Sequence, residues 1–239
     1  MSRRISFKYM RTTPTKFCQN SSLNRIFCLF VPDFSPFVAD MEVRVVEAEE
    51  KPWTHSIVIQ VTTPEIKSQA ATVQESVVKY DPELSQYKVK PEQLHITLAM
   101  LKIADDEGVK HAVQCLDEVK ANGIEFHLEG VDTFQPLVLY AKVNPKPQDA
   151  FKKFKAGLDR RLEQCSKIKV DRTYKLKPHM SLIHVEQTGS SNSKAIPAES
   201  YSSHLNDDFG EQKFDNLHLC DLAGKETEGF YNTVYRVNF

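Results

Sequence analysis

The chain has 239 residues, of which 41% are hydrophobic, and a formal net charge of −1. A chain of this size and composition can bury a core as one domain or two joined lobes, and it belongs to neither the disordered nor the membrane class. A mildly acidic globule lacks the electrostatic footprint that long duplex nucleic acid demands, whereas a short nucleotide held locally is compatible with it.

In chain order, residues 1–45 read as a basic tail or targeting segment and residues 46–239 as the folded domain. Residues 1–40 carry Arg3, Arg4, Lys8, Arg11, Lys16 and Arg25 against only Asp33 and Asp40, with many Ser and Thr. This is the composition of a mitochondrial transit peptide; a disordered tail, or an extension upstream of a start at Met41, shares it. The apolar run Ile26-Phe27-Cys28-Leu29-Phe30-Val31 is too short to span a bilayer. The expected location is cytoplasmic or nuclear, with no membrane partner, and mitochondrial if residues 1–40 are a transit peptide.

His55–Val61 predicts a buried strand. Thr63-Pro64 then offers an N-cap and a first-turn proline for a helix with Ile66, Ala70, Val73 and Val77 inward. A strand is expected over about Gln93–Ile103. A second helix starts at Asp105-Asp106, turns Val109, Ala112, Leu116 and Val119 inward, and stops at Asn122-Gly123. Strands over Ile124–Leu128 and Leu137–Val143 follow. Pro147 opens a helix with Phe151, Phe154, Leu158, Leu162 and Cys165 inward, ahead of a strand over Lys177–Val185. Gln187–Asn192 reads as a polar loop, and strands over Phe214–Leu222 and Phe230–Val237 close the chain. Two strand–helix–strand halves suggest an α+β fold of two pseudo-symmetric lobes around a central cleft, mainly antiparallel sheet with outer helices.

Two tripeptides, His95-Ile96-Thr97 and His179-Met180-Ser181, stand in the same frame on two of these strands. With 8 His and 30 Ser plus Thr in the chain, composition alone gives about one such match, so the bare tripeptides carry little; their setting carries more. Side chains i and i+2 of a strand share one face, so each histidine lies beside a hydroxyl while apolar neighbours fill the opposite face. Two imidazoles can divide proton removal and proton donation at a phosphate, and the hydroxyls can donate to its non-bridging oxygens. The alternative is a pair of satisfied core histidines.

Five scattered cysteines without Cys-x-x-Cys spacing, and eight histidines without His-x-x-x-His pairing, argue against a zinc site or disulfide framework and for a reducing compartment. Neither a glycine-rich phosphate loop nor a nucleophile elbow is present. No metal and no cofactor are expected.

The chain resembles the two-histidine (2H) phosphoesterase superfamily, and within it the phosphoesterase domain of the A-kinase anchoring protein 7 type, shared with activating signal cointegrator 1 complex subunit 1. The resemblance runs through Gln93-Leu-His-Ile-Thr-Leu-Ala-Met-Leu101, Gly130-Val-Asp-Thr-Phe134, Lys175-Leu-Lys-Pro-His-Met-Ser-Leu182, Asp208-Phe-Gly-Glu211 and Gly229-Phe-Tyr231, over about four-fifths of the chain. It implies the 2H phosphoesterase fold and metal-independent cleavage of phosphodiesters that have a neighbouring ribose hydroxyl: short RNA, 2′,5′-oligoadenylate or cyclic nucleotide phosphates. His95 and His179 would be the acid–base pair, with Thr97 and Ser181 as phosphate donors. Phe134 and Tyr231 are candidates for stacking on a base, and Lys177 for a phosphate contact; ordinary packing and a solvated lysine are the alternatives. The last expected strand, Phe230–Val237, reaches to within two residues of Phe239, so no protein kinase A anchoring helix is evident and kinase anchoring is not carried over. Membership of a transcription or repair coactivator complex follows only by family analogy. The competing function is a nucleotide-binding or sensing module, AMP-like in its ligand, with little or no turnover.

Overall fold

The computed structural model describes residues 53–120, 123–172, 177–185, 194–224 and 229–239. The N-terminal segment and the Gln187–Asn192 loop of the sequence reading lie outside the described residues.

Among the described residues, two antiparallel sheets make the frame. The first has five strands in the order β5-β2-β1-β8-β9, and the second four in the order β6-β4-β3-β7. In the first are β1 (His55–Gln60), β2 (His95–Ile103), β5 (Ile168–Val170), β8 (Asn216–Asp221) and β9 (Thr233–Asn238). In the second are β3 (Glu125–Phe134), β4 (Val138–Lys146), β6 (His179–His184) and β7 (Asp208–Lys213). The α+β class and the mainly antiparallel lobes expected from the sequence are therefore present, with one rearrangement. β3, from the first half of the chain, pairs with β4, whereas β5, β8 and β9, from the second half, join the first sheet. Only three residues, Gln135–Leu137, separate β3 from β4, and such a short connection favours a hairpin over a crossing between sheets.

Among the described residues, three α-helices pack on these sheets. In α1 (Pro64–Tyr80) the expected face Ile66, Ala70, Val73 and Val77 is fully buried, and the helix lies against β7 and β6. Thr63 precedes it as expected, but its hydroxyl turns away from the helix to the Glu211 carbonyl and the Gln212 side chain. α2 (Asp106–Asp117) is capped by Asp105, whose carboxylate accepts from the Gly108 N–H. It ends at Asp117, short of the expected Asn122-Gly123 stop, and Val119 is buried beyond its last turn. α3 (Gln148–Leu162) touches β4 of one sheet and β5 of the other. Cys165 falls just past it, and the chain turns back there through the Cys165 carbonyl to Ile168.

Strand alternation sorts the residues of the site. Ile57 and Ile59 of β1 join the main core, while Val58 belongs to a separate small cluster with Cys220 and Phe230, against which Tyr231 packs. Since neighbours in a strand point to opposite faces, that small cluster lies on the face of the first sheet turned away from the main core. Thr97 is the register partner of Val58, so the first motif shares that outer face. Ile96, Leu98, Met180 and Leu182 are buried in the main core, as the alternation predicts.

His218 sits on the same outer face, in register with Val58 and Arg236. It is 3% exposed, its ring meets Phe230 edge-on, and burial together with the Arg236 charge lowers its pKa to about 4. The unfolded chain takes up this proton near the ordinary histidine value and the folded chain only near pH 4. The stability contributed by the neutral ring is complete above pH 6.5 and is lost as pH falls through that window. Urea unfolding from pH 7 to 4.5 is expected to show His218→Gln with a shallower fall in stability than the parent, by as much as one proton, or about 1.4 kcal/mol per pH unit. Equal slopes would place the linkage elsewhere.

Candidate active site

The two histidines are held by the same local device. His95 Nδ1 is 2.8 Å from the Gln93 carbonyl oxygen and His179 Nδ1 is 2.9 Å from that of Lys177. A carbonyl only accepts, so each Nδ1 carries the hydrogen and donates it, which leaves Nε2 as the atom that gains and loses a proton. Each ring is thereby fixed in tautomer and orientation by the main chain two residues before it. In both motifs a hydroxyl follows two positions later, on the same strand face.

The strands β2 and β6 come into contact although they belong to different sheets. The charge of His179 acts on His95: burial lowers the His95 pKa first, the Gln93 carbonyl opposes that, and His179 lowers it further. For His179, burial is again the main cause of a lowered pKa, opposed by the Lys177 carbonyl and assisted by the Lys177 charge. With burial disfavouring a proton on both rings and the His179 charge disfavouring one on His95, the pair is suited to holding one proton between them. Thr97 and Ser181 are half-buried, and His179 and Thr97 line one cavity of about 270 Å³ together with Trp53, Leu98, Ala99, Met100, Lys155 and Asp171.

Aromatic rings flank both histidines. Tyr231 meets the His95 ring edge-on at 5.0 Å, carried there from the small cluster of Val58, Cys220 and Phe230. Phe134 meets the His179 ring edge-on at 4.8 Å and stacks on Tyr140 at 4.1 Å, and Tyr140 itself reaches His179 at 5.3 Å. The structure thus brings Phe134 and Tyr231 each against one of the two histidines.

Lys177 stands just before β6 and beside His179, whose pKa its charge lowers. Pro178 delays the start of β6 to His179, and the Lys177 ammonium rests on the Tyr140 hydroxyl at 3.1 Å and near Asp132 at 3.5 Å. Those partners raise its pKa, the Tyr140 hydroxyl most, while its carbonyl holds His179. Tyr140 and Asp132 escaped the sequence reading. They are joined by a 3.1 Å hydrogen bond from the phenol to the carboxylate, and Asp132, Tyr140 and Ser181 lie in direct register across β3, β4 and β6. Only the strand pairing reveals that row; the one local signal was the aspartate within Gly130-Val-Asp-Thr-Phe134.

Among known proteins, the AKAP7 2'5' RNA ligase-like domain family matches residues 53–239. A-kinase anchor protein 7 isoform gamma of Homo sapiens is 22% identical over 186 residues, covering 73% of this chain and 53% of the relative, so the chain spans about half the length of that protein. Among solved structures, E. coli LigT in its apo form superposes with a TM-score of 0.55 at 16% identity, covering 79% of this chain and 98% of LigT. TT0787 of Thermus thermophilus superposes with a TM-score of 0.51 at 18% identity, covering 77% of this chain and 97% of TT0787. These two likenesses establish the fold. With a family match across the two sheets and both histidine motifs, the chain belongs to the AKAP7 2'5' RNA ligase-like domain family and, through it, to the 2H phosphoesterase superfamily.

Proposed function

We propose that the chain is a metal-independent phosphodiesterase in which His95 and His179 divide the proton transfers. Its substrates are phosphodiesters with an adjacent ribose hydroxyl, in short RNA, 2′,5′-oligoadenylate or cyclic nucleotide phosphates. The observation that carries this reading is the paired device itself: two imidazoles from two sheets, each with Nδ1 tied to a carbonyl two residues back and each followed by a hydroxyl on the same face.

The chemistry follows from the tautomers. One neutral Nε2 takes the proton of the ribose hydroxyl as its oxygen attacks phosphorus. The other imidazole, protonated at Nε2, gives its proton to the departing ester oxygen, and a cyclic phosphate results. Water can then open the cyclic ester with the two histidines exchanging roles. Thr97 and Ser181 donate to the non-bridging oxygens, where negative charge accumulates. Phe134, Tyr140 and Tyr231 wall the rings, and Lys177 adds positive charge near His179.

The free enzyme sets the pH dependence. Burial holds both histidines below 6.5, so kcat/KM falls on the acid side as the base is protonated and on the alkaline side as the acid loses its proton. The test is a kcat/KM profile in chelator on 2′,5′- and 3′,5′-linked dinucleotides and 2′,3′-cyclic nucleotides. A bell with its maximum below pH 6.5 is expected for at least one linkage. The kcat profile should lie at higher pH, because a bound phosphate anion favours the imidazolium. Absence of turnover on every linkage, or turnover abolished by chelator, would refute the proposal.

A further inference from the structure

The proton transfers use Thr97 and His179 of the residues that line the 270 Å³ cavity. They leave the rest of the lining without a role. It includes Trp53, Met100, Lys155 and Asp171, a set that combines a flat aromatic ring, an apolar thioether, a donor and an acceptor.

Each of these groups is held in place by the fold. Lys155 is a lysine with only 16% of its side chain exposed, bound through its ammonium to both carboxylate oxygens of Asp159 at 2.5 Å. Asp159 is 6% exposed and also approaches Arg172, whose guanidinium is fixed by Glu163. An ammonium has three N–H donors and two are taken by Asp159, which leaves one for an occupant of the cavity. Asp171 is placed by its main chain, whose N–H donates to the Met100 carbonyl at 2.9 Å. Trp53 is held by the Lys102 ammonium over its ring, 4.8 Å from the centroid.

A second phosphate is poorly suited to this space, because Asp171 lines it and Lys155 already carries a carboxylate. A neutral, flat ligand with both donor and acceptor atoms on its edge suits it well. Resting on the phosphodiesterase reading above, we infer that this cavity is a base-reading subsite: it takes the nucleobase attached on the His179 side of the scissile phosphate. Trp53 supplies the stacking surface, Asp171 accepts from a ring or exocyclic N–H, and Lys155 donates to a neighbouring ring nitrogen or carbonyl.

Trp53 is the single tryptophan of the chain, so its fluorescence reports on this cavity directly. Adenosine 5′-monophosphate and ribose 5-phosphate serve as the probes, with affinities read by calorimetry. The base is expected to add at least about tenfold in affinity over ribose 5-phosphate, the scale of one stacked base, and only the nucleotide should quench the tryptophan emission saturably. Trp53→Ala should remove about 5- to 100-fold of nucleotide affinity, the range of one lost stacking contact, while ribose 5-phosphate binding stays within about twofold. Asp171→Asn should change the rank order of the four nucleoside monophosphates. It serves as the independent variant if Trp53→Ala fails to fold, and it spares the buried Lys155–Asp159 pair.

Equal affinities for the two probes, abolished by His179→Ala but indifferent to Trp53→Ala and Asp171→Asn, would overturn the base-reading subsite and leave the phosphodiesterase reading standing. Failure of both probes to bind at all would also overturn the subsite, while the phosphodiesterase reading would still stand or fall on turnover.

Discussion

Replacing His95 or His179 by alanine is expected to lower kcat on a phosphodiester by about 10²–10⁴-fold each, the usual loss for a general acid or base. The double replacement should cost far less than the product of the two, since both groups serve the same transition state. The reasoning rests on the way each ring is held. With Nδ1–H committed to a main-chain carbonyl, the imidazole cannot turn its other nitrogen away without losing that hydrogen bond. Both rings are therefore fixed in orientation, with Nε2 as the nitrogen that titrates. Both residues are only half-buried, so alanine at either position should leave the melting temperature close to that of the parent. That separation of activity from stability distinguishes a catalytic pair from two structural histidines, whose removal would show first in stability. Loss of fold together with activity would favour the structural alternative.

The second large effect is expected at Gly130, where an alanine should destabilise the domain by about 2–5 kcal/mol, the sum of a left-handed backbone penalty and an overpacking cost. Gly130 has φ +69° and sits at an irregularity of β3. A Cβ there would lie 2.2 Å from the Leu205 carbonyl oxygen and 2.8 Å from the Lys142 side chain. The lysine can move, but the carbonyl is main chain. The segment that presents it is tied to this same residue, because the Gly130 N–H donates to the Asp207 carbonyl at 2.7 Å. The irregularity also sets the direction in which β3 continues toward Asp132 and Phe134, so the wall beside His179 depends on it. At about 2–4 °C per kcal/mol for a domain of this size, the melting temperature of Gly130→Ala should fall by roughly 10 °C. A shift of less than about 2 °C, under 1 kcal/mol on that scale, would show that the segment around Leu205 relaxes freely.

Local periodicity carried most of what the sequence revealed. The faces of α1 and α3 were legible because their apolar residues recur at helical spacing, and both histidine strands because His and hydroxyl alternate with Ile, Leu and Met. Two strands were not legible. β5, Ile168–Val170, is too short to show a period, and β7, Asp208–Lys213, is an edge strand with four polar residues and a glycine among its six. The exchange of strands between the two halves of the chain was also hidden, because pairing over long sequence distances leaves no local pattern.

The site divides along the same line. The four central residues stand out by their spacing, and Phe134 and Tyr231 by the phrases around them. Tyr140 and Asp132 become visible only through register with Ser181. Lys177 stands beside His179, whose pKa its charge lowers, although Pro178 starts β6 only at His179 and strand alternation does not orient it. Trp53, Lys155 and Asp171 come from three distant parts of the chain, and only the fold brings them to one cavity.

The central claim is that two histidines, without a metal, carry the proton transfers of phosphodiester cleavage. Its most direct measurement is single-turnover cleavage in chelator, near the optimum pH, of the linkage that the parent cleaves fastest, with products identified by mass. The parent is expected to form product, and the folded double variant His95→Ala with His179→Ala to fall by at least about 10²-fold, the loss assigned to a general acid or base. Undiminished product formation by the folded double variant would contradict the claim, whatever substrate is used.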